Sequence, residues 1–99
     1  MKTNGAIEAS RQRARAWGEF LSDTFRELEI TDNEVIRNCH IGRSTFYRMK
    51  RGELINVDAY LRMTDYAILK IREPTKGLPL PGDFETRWWE ECRRISFNV

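Results

Sequence analysis

Arg43, Arg48, Lys50 and Arg51 fall within nine positions, and no Asp or Glu separates Arg43 from Gly52. Cations without interspersed acids suit a polyanion, because each can replace a counterion condensed on a phosphate backbone. Arginine adds a second capability: its planar fork can pair with O6 and N7 of a guanine edge. Tyr47 and Arg48 lie one helical turn beyond Arg43, on the same expected exposed side. Thr45 can reach a phosphate or a thymine methyl, and Lys50 and Arg51 are placed for phosphates. A merely solvated charged face is the alternative, but such faces usually mix acids with bases.

The segment that must position these groups is residues 31–52, TDNEVIRNCHIGRSTFYRMKRG. Thr31 is a good N-cap and Glu34, three residues on, completes a capping box. Ile30 and Val35 are spaced for a hydrophobic staple around that cap. The first helix, about 32–39, is expected to bury Val35, Ile36 and Cys39. The chain then turns at His40, and Ile41 drops into the core. A second helix opens at Gly42 or Arg43, buries Phe46 and Met49, and stops at Gly52 as its C′ residue. A neutral helix, a tight turn and a basic helix make the pattern of a helix-turn-helix, with the second helix entering the major groove.

The same segment resembles the phage repressor/Cro-like, or XRE-type, family, whose typical run is close to TQEELAEKAGVSRSTISRIERG. The match, by identity or like character, is carried by Thr31, Glu34, Val35, Cys39, Ile41, Arg43, Ser44, Thr45, Arg48, Met49, Arg51 and Gly52. The resemblance implies that residues 15–70 form the family's helices one to four. It also implies that Arg43 and Ser44 reach base edges. This sequence departs from the pattern at three positions. His40 stands where Gly is usual, and Ile36 where Ala is usual. Asp32 stands where a Gln is usual; a carboxylate there would repel a phosphate, cap a helix or orient Arg43.

Around this segment the periodicity is helical, with no strand-like alternation of useful length. A helix is expected from about Ile7 to Leu28, after a break at Asn4-Gly5, with Trp17, Phe20, Leu21, Thr24, Phe25 and Leu28 on its apolar side. Arg11, Arg13 and Arg15 precede that stripe; a solvated face is favoured over phosphate contact. Asn56 caps a fourth helix to about Ile71, with Val57, Tyr60, Leu61, Thr64, Ala67, Ile68 and Ile71 facing inward. Residues 74–82, PTKGLPLPG, hold all three prolines and form a stiff connector. A last helix, about Asp83 to Ile95, carries Phe84, Trp88, Cys92 and Ile95 on one face, with Trp89 beside it. The expected fold class is therefore all-α. A four-helix repressor-like domain spans residues 7–73, a connector 74–82, and a C-terminal helix 83–99. That last helix either folds back over the core or serves as a dimer or partner surface, where Trp is an enriched anchor. The partner reading is the one adopted, with Phe84, Trp88, Trp89, Cys92 and Ile95 as its contacts.

Composition excludes several classes. The formal charge is +2, and residues 31–55 hold five basic and three acidic side chains while the other segments balance. The excess is thus local to the candidate binding segment. No run approaches the roughly 20 apolar residues of a membrane span. MKTNGAIEAS lacks the apolar stretch of a signal peptide, so a cytoplasmic location is expected. Cys39 beside His40 lacks the further ligands of a tetrahedral zinc site, so no metal or other cofactor is expected. No nucleophilic triad, paired carboxylates or phosphate-cradling glycine loop is visible, so an enzyme is not expected. Two functional classes follow. One is a sequence-specific double-stranded DNA-binding regulator acting as a homodimer. The other is a protein-binding module, such as an antitoxin or a phage-encoded inhibitor or accessory factor, using its aromatic C-terminal helix.

Overall fold

The computed structural model describes residues 2–54, 56–73 and 80–97, with side chains described between residues 11 and 95. Among the described residues every regular element is a helix: α1 (Lys2–Glu27), α2 (Asp32–Asn38), α3 (Arg43–Lys50), α4 (Val57–Arg72) and α5 (Phe84–Phe97). The chain is all-α. Most of the proline-rich connector, residues 74–79, lies outside the described residues.

α1 starts at Lys2, so Asn4-Gly5 does not break it as expected. One interior glycine costs only about 1 kcal/mol against alanine, which a helix of 26 residues absorbs. Leu21, Phe25 and Leu28 are buried on its inner face with Thr24, while Trp17 and Phe20 pack partly buried at the core's edge.

α1, α2 and α3 end by the same device. Glu29, His40 and Gly52 adopt φ of 56°, 54° and 74°. In each case the next amide reaches back past the turn: Ile30 N–H to Phe25 O at 2.8 Å, Ile41 N–H to Ile36 O at 3.1 Å, Glu53 N–H to Arg48 O at 2.8 Å. These back-bonds, of the Schellman type, satisfy orphan carbonyls, and after α1 and α2 they turn the following residue inward. Ile30 and Ile41 are buried accordingly.

α4 keeps most of the expected inner face, with Tyr60, Ala67 and Ile71 buried and Thr64 and Ile68 half-buried, but Val57 and Leu61 fall outside it. Ala59, Tyr60, Met63, Ala67 and Ile71 are buried, whereas Val57 and Leu61 are 64% and 59% exposed. Ala59 and Ala67 have no residual exposure, and their small side chains let neighbouring helices approach where branched residues could not. Likewise Ile36 is only half-buried on α2, while Val35 and Cys39 supply its inner face.

α5 corrects the expected partner surface. Trp88, Cys92 and Ile95 are buried inside the chain, and Phe84 packs partly buried against the core. The Trp88 indole donates to Thr24 Oγ1 at 2.9 Å, and its ring lies 5.5 Å from that of Phe20. The Arg72 guanidinium grips both oxygens of Glu85 at 2.9 Å, tying α4 to α5. These apolar residues are therefore committed to α1 and α4, and of the five only Trp89 remains substantially exposed, at 37%. The geometry is the fold-back alternative.

Both cysteines are free and buried. Burial pushes the Cys39 and Cys92 thiols up to about 11, with Arg62 opposing the shift at Cys39 and Glu91 adding to it at Cys92. A thiol this protonated and enclosed is a poor nucleophile. In the native chain both are expected to resist a thiol-titrating disulfide reagent at mildly alkaline pH, and to react freely after denaturation. Full-rate reaction of either in the native chain would contradict the burial.

Candidate nucleic-acid interface

The local sequence builds α2 and α3 largely as expected. The Thr31 hydroxyl accepts from the Glu34 amide at 3.2 Å, and the Glu34 carboxylate accepts from the Thr31 amide at 3.1 Å. Gly42 precedes α3 in extended backbone and offers no side-chain cap. Phe46 and Met49 face inward, 4% and 1% exposed.

Three residues of α4, none of which stood out as functional in the sequence, hold this pair of helices in place. The Arg62 guanidinium donates to the carbonyls of Cys39 and His40, both at 2.9 Å, and so clamps the turn between α2 and α3. Its other terminal nitrogen pairs with Asp58 at 2.9 Å. The Tyr60 hydroxyl lies 3.2 Å from the Ala14 carbonyl and 3.5 Å from that of Met49, linking α4 to α1 and to the end of α3. The Asn38 amide donates to the Tyr66 hydroxyl at 3.1 Å. Arg62 could have been noticed as a charge beside the inward stripe of α4; Tyr60 read simply as core, and Tyr66 carried no signal of its own.

α1 also fixes α3, through glycine. A Cβ on Gly18 would sit 3.0 Å from the Met49 carbonyl oxygen, and one on Gly52 would sit 2.9 Å from Arg15 Cβ. Those missing side chains let the two helices touch by backbone.

With α3 held from behind, its outer face is defined. Arg43, Ser44 and Arg48 are exposed, and Tyr47 is half-buried between them. At 3.6 residues per turn these four and Arg51 share one contiguous arc. Thr45 and Lys50 flank that arc and are half-buried.

Charge pairing divides the expected contacts. Lys50 Nζ lies 3.1 and 3.3 Å from the two oxygens of Asp32, and 6.0 Å from the centre of the Phe46 ring. The Tyr47 hydroxyl donates to the same Asp32 carboxylate at 3.3 Å. Asp32 thus holds Tyr47 and Lys50, not Arg43. Arg51 forms a two-pronged pair with Glu53, both contacts at 3.1 Å, and its guanidinium holds the Glu53 carboxyl below the usual carboxylate range. The phosphate contacts expected of Lys50 and Arg51 therefore face competition from acids of their own chain. The side chains of Arg43 and Arg48 make no hydrogen bond or ion pair among the described residues, although the Arg48 charge helps to hold the Glu53 carboxyl down.

Among the described residues no His, Cys, Asp and Glu side chains gather into a possible metal site, and no helix is long and apolar enough to cross a membrane. No family model, curated protein or solved structure matches the chain.

Proposed function

We propose that this chain is a sequence-specific, double-stranded DNA-binding transcriptional regulator, with α2 and α3 as a helix-turn-helix and α3 as the groove helix. The observation that carries this reading is the acid-free outer arc of α3, on which the Arg43 and Arg48 side chains are exposed and make no ion pair among the described residues, while the helix itself is locked to α1 and α4. A rigid helix presenting free guanidiniums is suited to base edges, since direct readout needs side chains held in register. Ser44 and Tyr47 add hydroxyls beside them. The reading includes a homodimer on two half-sites, but its contacts must use surface other than Trp88, Cys92 and Ile95, which the chain itself buries.

The test is duplex selection from a random pool, followed by anisotropy titration of the selected site and sedimentation of the complex. Arg43→Ala and Arg48→Ala are each expected to cost about 1–3 kcal/mol at the selected site and to relax base preference at the position each reads. Selection that enriches no sequence would count against the proposal, as would two arginine variants that bind like the parent. A salt-insensitive interaction would point to a protein partner instead.

A further inference from the structure

Asp32 occupies the first turn of α2, and its carboxylate faces the far end of α3. Both of its oxygens receive the Lys50 ammonium, and one also receives the Tyr47 phenol. The pair is partly withdrawn from solvent, with 35% of the Lys50 side chain and 39% of the Asp32 side chain exposed. By contrast, Arg26 and Asp23 are 75% and 63% exposed. Screening is weaker where water is partly excluded, so the Asp32 pair is the more persistent of the two. The Phe46 ring beneath the ammonium adds to its fixation.

We infer that Asp32 is a specificity-determining residue of the α3 surface: it withholds Lys50 from phosphates and fixes Tyr47 beside Arg43 and Arg48. The inference rests on the DNA-binding reading above. A free lysine at this end would add one phosphate contact to every duplex regardless of sequence, raising affinity without discrimination. Held by Asp32, it contributes nothing until a phosphate displaces the carboxylate, and Asp32 itself repels that phosphate. Tyr47, tied to the same oxygen, is presented in one orientation. The Glu53 carboxylate treats Arg51 similarly but with both side chains more than half exposed, so it is the looser clamp.

The experiment measures affinity against salt for the selected duplex and for a random-sequence duplex, using the full chain, Asp32→Asn and Asp32→Asn/Lys50→Gln. Asparagine keeps the shape of Asp32, and circular dichroism of each variant verifies the fold. Asp32→Asn is expected to bind both duplexes more tightly and to steepen the log–log salt slope by about 0.9 per bound copy, the signature of one new phosphate contact. Its preference for the selected duplex is expected to fall by up to about fivefold, because the amide oxygen still accepts from Tyr47 but without the charge that strengthens the orienting bond. Adding Lys50→Gln is expected to return the slope to that of the parent. An unchanged slope in Asp32→Asn overturns the inference, and so does a steepening that survives Lys50→Gln, since Asp32 would then act by repulsion alone. Parent protein that binds no duplex would remove the DNA reading and this inference together. Duplex binding with an unaltered Asp32→Asn slope removes the inference only.

Discussion

Trp88→Ala is expected to lower stability by about 3–5 kcal/mol, among the largest effects available to a single substitution in this chain. Trp88 is 4% exposed and lies where α5 meets α1. Its removal opens a cavity against Phe20 and strips the donor from Thr24 Oγ1, itself in a residue only 4% exposed. The Thr24 hydroxyl keeps its own bond to the Phe20 carbonyl at 2.9 Å, so the polar loss is partial and the cavity dominates. For a domain near 100 residues this corresponds to a fall in Tm of roughly 12 °C or more. Trp88→Phe keeps most of the ring and loses the N–H, so its cost is expected near 1–2 kcal/mol. Thermal melting by circular dichroism compares the three proteins. A Tm unmoved by Trp88→Ala would mean that α5 is not docked, and would restore its apolar strip as a surface for a partner.

That strip shows where sequence reasoning reached its limit. The i, i+4, i+8, i+11 spacing of Phe84, Trp88, Cys92 and Ile95 was legible as one helix face, but spacing cannot say what covers it. The deciding fact is a long-range pair, Trp88 with Thr24, 64 positions apart. Thr24 had been placed on the inner side of α1, yet a threonine in an apolar stripe carries no sign of its partner. Two positions of α4 were misplaced for a related reason. Val57 and Leu61 are branched and strongly apolar, whereas close helix contact selected Ala59 and Met63 for the inner face. Local chemistry was read more successfully. Thr31 and Glu34 make their reciprocal cap, and Gly52 takes the positive φ required of a C′ residue. His40 takes the same conformation without being glycine, as the turn demanded; Glu29 does so with no composition signal at all.

In the candidate site, the arc of α3 was visible because helix period and charge are both local. The pairing of Lys50 with Asp32 was not, since it depends on how closely α2 and α3 cross. The expected repulsion between Asp32 and phosphate was sound chemistry applied without knowledge of the cation beside it. Formal charge therefore overstated the candidate surface: of the four cations on and just after α3, two are already answered within the chain.

Phe46 joins the core to the outer arc of α3, so its replacement is expected to act on both. It is 4% exposed, edge-on to Tyr47 at 5.2 Å between ring centres, and lies under the Lys50 ammonium. Phe46→Ala is expected to cost about 3–5 kcal/mol in stability through the lost burial and the cavity left behind. Phe46→Leu, which retains most of the apolar volume, is expected to cost roughly 1–2 kcal/mol. The two separate packing from geometry. If Phe46 only filled space, Phe46→Leu would bind a selected duplex like the parent. Because the ring also supports Tyr47 and the Lys50–Asp32 pair, Phe46→Leu is expected to fold and yet discriminate less well between duplexes. Melting curves and paired anisotropy titrations measure both effects on the same samples. An unchanged Tm for Phe46→Ala would mean that α3 is turned the other way about its axis. Arg43 and Arg48 would then lose the exposed face on which the DNA-binding proposal depends.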